Sequence, residues 1–162
     1  VDILRRANLE VVLAGLKKGP VKSSRGVVIV PDAFLGELSC DSFDMLVLPG
    51  GQPGTNNLLA DERVKEIVRQ MHGKGNYTAA ICAAPCVLSE AGILHDKKVT
   101  AYPSTQAKLD AKEVLADERV VVDGNVITGQ GAGTSVEFAL KLVEVLAGKE
   151  KADDIHKAMI CR

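Results

Sequence analysis

Residues 76–85 read NYTAAICAAP, and this segment decides the fold predicted for the chain. An apolar run that ends at Ile81 is typical of a buried strand, and a helical pattern of apolar residues follows over 87–91. Cys82 therefore lies where a strand turns into a helix. Pro85 suits the first turn of that helix, because a missing N–H group costs nothing at that position.

Cys82 is the first candidate for a reactive group. The small residues on either side of it allow the tight turn of a nucleophile elbow. The free amides and partial positive charge of a helix N-terminus favour a thiolate over a thiol. The alternative is a cysteine that packs as a small hydrophobic residue. Its position after a strand does not by itself decide between the two.

The composition is that of an ordinary globular protein. The chain has 162 residues, of which 46% are apolar and 25% are charged, so we predict a single domain over residues 1–162 with a sizeable core. A formal net charge of −1 gives no electrostatic case for binding nucleic acid. No apolar run is long enough to span a bilayer, so we expect no membrane partner.

The four cysteines have irregular spacing. They match neither a zinc-ligand pattern nor a small disulfide framework, so we predict no metal site and a reducing compartment such as the cytoplasm. Cys86, four residues after Cys82, is either a resolving thiol or a plain buried residue. The cysteines are Cys40, Cys82, Cys86 and Cys161.

Strands alternate with helices along the chain, which predicts an α/β sandwich with a mostly parallel sheet. The predicted strands cover 9–13, 27–30, 45–48, the run up to 81, 99–101, 120–122 and 126–128. The predicted helices cover 1–7, 61–73, the segment after 85, 109–115, 134–147 and 149–160. Because the helical pattern at 1–7 starts without a cap, we expect a strand and a turn before Val1.

Three local details are also predicted. Asp61 caps the helix that follows it, and His72 acts as a charged partner of the same helix at its C-terminal end. Thr134 and Glu137 fit a capping box.

Four candidate site residues all follow predicted strands: Gly50, Gly51, Cys82 and Tyr102. Ligands of such folds bind beyond the carboxyl ends of the strands. The alternatives are a plain turn for the glycines and a packed ring for Tyr102.

Three motifs resemble the ThiJ/PfpI superfamily and, within it, the deglycase branch that is associated with parkinsonism. They are LPGG at 48–51, AICAAP at 80–85 and GAGTSVEFAL at 131–140. The likeness extends to residues 1–7 and to Ser24–Arg25, so it covers essentially the whole chain. It implies a flavodoxin-like three-layer sandwich, a homodimer, and no metal or organic cofactor.

Carried over residue by residue, the resemblance makes Cys82 the nucleophile and the oxidation-sensitive thiol. The backbone N–H groups of Gly51 and Ala83 would form the oxyanion site. The resemblance takes Arg25 from the second subunit, and it gives residues 131–134 to the far wall of the site and the dimer contact. The substrate pocket would be formed by Gly50, Arg6, Arg25 and Tyr102.

The chain departs from the family pattern at three points. Peptidase-like members have a His directly after the nucleophile, and Ala83 stands there instead. Tyr102 occupies the place of another His that lies near the nucleophile in related proteins. The family also has a Glu on the turn after its first strand, in the region that we expect before Val1.

The resemblance implies an enzyme that acts on α-oxoaldehydes such as methylglyoxal and on their early adducts with proteins. Addition of the Cys82 thiolate to the aldehyde, proton transfer and hydrolysis would release a hydroxy acid. The alternative is a non-enzymatic redox sensor or chaperone that signals through oxidation of Cys82. A cysteine peptidase is disfavoured by Ala83. The resemblance allows the nucleus or the mitochondrion besides the cytoplasm.

Overall fold

The computed structural model describes residues 1–161. The strands are β1 (Ala14–Gly15), β2 (Val21–Lys22), β3 (Val28–Ile29), β4 (Ala33–Phe34), β5 (Met45–Leu48), β6 (Tyr77–Ile81), β7 (Lys98–Val99), β8 (Glu113–Val114), β9 (Val120–Asp123) and β10 (Val126–Gly129). The helices are α1 (Asp2–Arg6), α2 (Gly54–Ala60), α3 (Glu62–Gly73), α4 (Pro85–Glu90), α5 (Pro103–Gln106), α6 (Ser135–Ala147) and α7 (Lys149–Ala158). Short 3-10 turns cover Leu35–Glu37, Cys40–Ser42 and Ala132–Thr134.

The central sheet has the strand order β5-β6-β10-β9. Strands β5, β6 and β10 run parallel, and β9 joins β10 as an antiparallel hairpin. Strands β1 and β4 form a parallel pair, as do β7 and β8, and β2 with β3 forms a separate hairpin. The predicted α/β class with a mostly parallel central sheet is therefore confirmed.

Strand β6 lies in the middle of the molecule and separates two apolar clusters. Ala80 packs with Val68 and Val87 on the side of α3 and α4. Ala79 packs with Phe138 on the side of α1, α6 and α7. Successive side chains of a strand point to opposite faces, so a continuous apolar run is what a strand covered by helices on both faces requires. This arrangement gives the three layers and brings the carboxyl end of β6 to one edge of the sheet.

Two predicted elements are wrong. Residues 9–13 form no strand, because Asp32 bonds the backbone there instead: its carboxylate accepts from the Leu13 N–H and its own N–H donates to the Leu13 carbonyl, each at 2.8 Å. The helix predicted over 109–115 is also absent. The structure has the one-turn helix α5 earlier in the chain, and Glu113–Val114 forms β8 beside β7.

The Asp61 cap is confirmed, because the Asp61 side chain accepts a hydrogen bond from the Arg63 N–H. The predicted capping box at Thr134 is wrong. Thr134 does not cap α6, because its hydroxyl donates to the Gly131 carbonyl and Glu137 binds Arg119. His72 lies in the last turn of α3, as predicted, but burial lowers the pKa of its ring, which disfavours the predicted charge. None of the helices in residues 1–161 has the length and apolar character needed to cross a membrane.

Candidate active site

Cys82 forms a strained elbow between β6 and α4. Its φ of 65° lies in the left-handed region, which costs a residue with a side chain about 1–2 kcal/mol. Two hydrogen bonds hold this conformation: the Cys82 N–H donates to the Gly129 carbonyl, and the Cys82 carbonyl accepts from the Tyr102 N–H, both at 2.9 Å. The nucleophile candidate is thus tied to the end of β10 and to the segment before α5.

Gly50 is the residue that lets the loop after β5 approach this elbow. A Cβ atom at position 50 would lie 2.6 Å from the Cys82 Cβ and 2.6 Å from the Ile81 carbonyl oxygen. Real Cβ contacts are not that short, so a side chain at position 50 would push the loop away from the elbow. Gly50 therefore has a packing role behind the site and does not line the cleft.

The residues of both predicted oxyanion donors line the cleft. Gly51 has a φ of 91°, and its carbonyl accepts from the backbone and side chain of Thr55, so the turn is fixed. Within residues 1–161, the N–H groups of Gly51 and Ala83 have no protein acceptor. Both residues line the same cleft as Cys82. Their role as donors to an oxyanion beside the sulfur stays a prediction.

The cleft has a volume of ≈ 620 Å³, within the range of small-molecule sites. It combines the elbow, the Gly51 turn, the tip of the β2–β3 hairpin and α5. Five of the seven residues predicted for the site line it; Gly50 lies behind it, and Arg6 is not part of it. The lining residues are Ser24, Arg25, Gly51, Gln52, Cys82, Ala83, Tyr102, Ser104, Thr105 and Lys108.

The two arginines predicted for the pocket have different places. Arg6 lies on α1, where its guanidinium donates to the Asp2 carboxylate at 2.7 Å. Arg25 lies on the turn between β2 and β3 and lines the cleft of its own chain, whereas the resemblance took it from the second subunit. The functional roles of both arginines remain predictions.

Tyr102 lies between two cavities. Its backbone N–H binds Cys82, and its ring contacts position Gly131, where an added Cβ would lie 3.5 Å from the ring. Half of the residue is exposed (48%). On its far side a pocket of ≈ 370 Å³ is lined by Arg119, Gln130 and the 131–134 segment. Tyr102 is thus a wall of the cleft, and the packed-ring alternative describes only part of its surroundings.

Burial raises the pKa of the Cys86 thiol, and the nearby Lys108 opposes that rise. A higher pKa leaves less thiolate at neutral pH, which does not favour the resolving-thiol interpretation. The four cysteines are free within residues 1–161. In the same range no three His, Cys, Asp or Glu side chains come together as a metal site.

Sequence reasoning missed Ser104, Thr105 and Lys108, which form the α5 wall of the cleft. The predicted helix was placed after them, so the sequence pattern put these side chains on an irregular segment. The signal that could have found them is Pro103, because proline directly after a strand is typical of the first turn of a helix.

The DJ-1/PfpI family model matches residues 1–145. The chain belongs to the DJ-1/PfpI family. It is 45% identical over 161 residues to the Protein dj-1beta of Drosophila melanogaster, an alignment that covers 98% of this chain and 86% of that protein. The crystal structure of Drosophila melanogaster DJ-1beta superposes with a TM-score of 0.95 at 44% identity, covering 99% of this chain and 88% of that one.

Two further members of the DJ-1/PfpI family bear on function. The glutathione-independent glyoxalase DJR-1.2 of Caenorhabditis elegans is 36% identical over 158 residues, covering 98% of this chain and 84% of that protein. The structure described as Toxoplasma gondii DJ-1, oxidized, has a TM-score of 0.93 at 34% identity and covers 98% of this chain and 87% of that one. The family resemblance predicted from the three motifs is therefore confirmed.

Proposed function

We propose that this protein is a cysteine-dependent glyoxalase and deglycase that converts α-oxoaldehydes, and their early adducts on proteins, into hydroxy acids without glutathione or another cofactor. The observation that carries the proposal is the strained Cys82 elbow, which lines one cleft together with the Gly51 and Ala83 N–H groups. The relative from Caenorhabditis elegans that is named a glutathione-independent glyoxalase supports it.

The first step is addition of the Cys82 sulfur to the aldehyde carbon, which forms a hemithioacetal. The carbonyl oxygen takes up the negative charge as the C–S bond forms. The N–H groups of Gly51 and Ala83 bind that oxygen, an interaction worth roughly 3–4 kcal/mol per donor where oxyanion sites have been measured. The fixed turn of Gly51 and the anchored backbone of Cys82 mean that little reorganisation is needed during the step.

The remaining steps convert the adduct into a hydroxy acid. A proton moves from the former aldehyde carbon to its neighbour, which oxidises the first carbon to a thioester and reduces the second to an alcohol. Water then cleaves the thioester, so methylglyoxal plus one water gives lactate and frees the sulfur. The resemblance gives the proton transfer to the family Glu, and within residues 1–161 no carboxylate lines the cleft. We therefore assign that transfer to no residue of this chain.

Lactate formation from methylglyoxal in the absence of glutathione tests the proposal. The Cys82→Ser variant should form no lactate above the uncatalysed rate, because a serine hydroxyl is not ionised at neutral pH. Cys40→Ser is the matched control, since Cys40 lies away from the cleft and its thiol donates to Gln70. Equal lactate output from wild type and Cys82→Ser would refute the proposal.

A redox sensor is the second candidate, because the same cleft would also hold an oxidised sulfur. Two equivalents of peroxide would each transfer one oxygen atom to Cys82 and leave water, giving a sulfinate that the Gly51 and Ala83 N–H groups can bind. The relative from Toxoplasma gondii is described as oxidised. Mass spectrometry after mild peroxide should find two added oxygens at Cys82 before any at Cys40 or Cys161. Equal oxidation of the three cysteines would count against sensing.

We further propose a homodimer formed through the β2–β3 hairpin. Its second strand and the flanking residues expose four consecutive apolar side chains. The exposed fractions are 59% for Val27, 58% for Val28, 48% for Ile29 and 69% for Val30. An apolar row on a two-stranded hairpin is an edge that proteins normally cover. We propose that a second copy of the chain covers this apolar row.

We also propose a cytoplasmic location, with which the free cysteines are compatible.

A further inference from the structure

The cleft beside Cys82 carries positive charge at its rim. Among residues 1–161, Lys108 and Arg25 are its two lining side chains of fixed positive charge, and no Asp or Glu lines it. Both are exposed. Within residues 1–161, neither cation lies within ion-pairing distance of a carboxylate, whereas Arg119, Arg63 and Lys98 each have such a partner. The rim is therefore free to attract an anion.

A chain of hydrogen bonds fixes the backbone of Lys108 relative to the nucleophile. The Cys82 carbonyl accepts from the Tyr102 N–H at 2.9 Å. The Tyr102 carbonyl accepts from both the N–H and the hydroxyl of Thr105, each at 2.8 Å. The Thr105 carbonyl accepts from the Lys108 N–H at 3.0 Å. The backbone that carries the Lys108 side chain thus belongs to a wall that is tied to the elbow.

The cleft is larger than the simplest substrate of the proposed reaction. Methylglyoxal has five non-hydrogen atoms, and even at the liquid-water volume of about 30 Å³ for each of them it would occupy about 150 Å³. The cleft has ≈ 620 Å³. Most of the cleft volume is therefore left for another part of a longer substrate.

We propose that Lys108 binds a carboxylate at the far end of the substrate, so that the preferred α-oxoaldehydes carry an anionic tail. This inference rests on the proposed function and adds a substrate class to it. Ser104, whose hydroxyl lies on the same wall, and Arg25 on the opposite hairpin extend the site. The Thr105 hydroxyl takes no part as a donor, because its proton is used by the Tyr102 carbonyl.

Paired substrates test this inference. 4,5-Dioxopentanoate has the reacting group of methylglyoxal and a carboxylate at its other end; addition of one water converts it into 2-hydroxypentanedioate. The measured quantity is the ratio of kcat/KM for this substrate to kcat/KM for methylglyoxal. We expect Lys108→Ala to lower the ratio about two- to fivefold, the scale of one exposed ion pair. We expect 0.5 M salt to lower the wild-type ratio as well.

Lys112→Ala is the matched control, because Lys112 is exposed, lies four residues further along and does not line the cleft. It should leave the ratio at the wild-type value. A ratio that neither Lys108→Ala nor salt changes, in an enzyme that converts methylglyoxal, would overturn the carboxylate site and leave the proposed function standing. Loss of the methylglyoxal reaction in the wild type would instead refute the proposed function.

Alkylation of Cys82 tests the same site without turnover. Iodoacetate and iodoacetamide have the same size and leaving group, and they differ in charge. We expect the iodoacetate-to-iodoacetamide rate ratio at Cys82 to exceed that of free cysteine and to fall about two- to fivefold in Lys108→Glu. A ratio equal to that of free cysteine, and unchanged in Lys108→Glu, would overturn the inference whatever the activity of the enzyme.

Discussion

The conformation at Cys82 restricts which residue can stand at position 50, because the two residues are in close contact. The elbow places the Cys82 Cβ where a side chain at position 50 would have to be, so the loop can carry only a hydrogen atom there. This close approach keeps the loop after β5 next to the elbow. A glycine whose function is close approach, rather than a positive φ, is therefore part of how the site is built.

Gly50→Ala should destabilise the protein and slow the reaction. The added methyl group would overlap the Cys82 Cβ and the Ile81 carbonyl, so we expect the free energy of unfolding to fall by about 1–3 kcal/mol. Urea denaturation measures this change. Gly73→Ala is the control, at the last residue of α3: apart from the neighbouring backbone, no atom of residues 1–161 lies within 4 Å of an added Cβ there, so stability should stay equal or rise by up to about 1 kcal/mol. Equal effects of the two substitutions would contradict the overlap.

His72 is the second residue whose surroundings decide its chemistry. Its Nδ1 atom is buried without a hydrogen-bond partner in residues 1–161. Burial lowers the pKa of the ring, and the charge of Lys97 lowers it further, while Asp96 acts in the opposite direction. The neutral ring is thus favoured in the folded protein.

This pKa shift predicts a loss of stability on acidification. The unfolded chain binds a proton at His72 near the ordinary value of 6.5, and the folded protein binds it only at lower pH. The stability contribution of the neutral ring is therefore complete above pH 6.5, and it falls as the pH decreases until the folded protein is also protonated. His72→Gln should remove this part of the pH dependence between pH 7.5 and 5. An NMR titration midpoint for His72 at or above 6.5 would contradict the prediction.

At the scale of elements, prediction from sequence succeeded where the residues of an element determine its structure without distant partners. Strand β5 is a continuous apolar run, and α3 has the apolar spacing of one buried face together with the Asp61 cap. Both have the predicted position. The predictions for residues 9–13 and 109–115 are wrong because the structure of these segments depends on distant partners, such as Asp32 for Leu13.

The candidate site could be predicted only in part for the same reason. The sequence places Cys82, Gly51 and Ala83 at strand ends, and strand ends of a parallel sheet meet at one edge. The sequence does not show that the β2–β3 hairpin and α5 approach the elbow, because tertiary contacts hold both of them there. The structure was therefore needed to place Arg25 and Lys108 in the cleft of this chain.

Asp61 offers a test of an element boundary. Its Oδ1 accepts the Arg63 N–H at 3.1 Å at the start of α3, and its Oδ2 also binds the Arg63 guanidinium at 2.6 Å. Asp61→Ala should lower the free energy of unfolding by about 0.5–2 kcal/mol, because a backbone donor loses its acceptor. Asp61→Asn keeps that acceptor and removes the charge, so it should cost less. If urea midpoints fall equally in both variants, the ion pair and not the cap stabilises the helix.

For the whole molecule, the β2–β3 hairpin is the feature on which the proposed homodimer depends. Arg25 lies at its turn, and exposed valines lie along its second strand and beside it. The same hairpin therefore lines the cleft and is the proposed dimer contact. If a second copy covers it, assembly and the shape of the site are linked.

Val28→Glu combined with Val30→Glu should convert a dimer into a monomer. Two carboxylates in the row of apolar side chains would have to be desolvated at a two-fold contact, and like charges would repel. Light scattering after size exclusion should give twice the mass of one chain for the wild type and the mass of one chain for the variant. Val122→Glu, at an exposed position on β9, is the control and should leave the dimer intact. A monomeric wild type would contradict the proposed interface.

The two hydrogen bonds on the backbone of Cys82 have a consequence for inhibitor design. Because the Cys82 backbone donates to the Gly129 carbonyl and accepts from the Tyr102 N–H, the elbow cannot shift as a whole to meet a bulky electrophile without breaking these bonds. A covalent inhibitor must bring its warhead down to the elbow through the space between the hairpin and α5. The length and shape of its linker, more than the intrinsic reactivity of its warhead, should then govern selectivity.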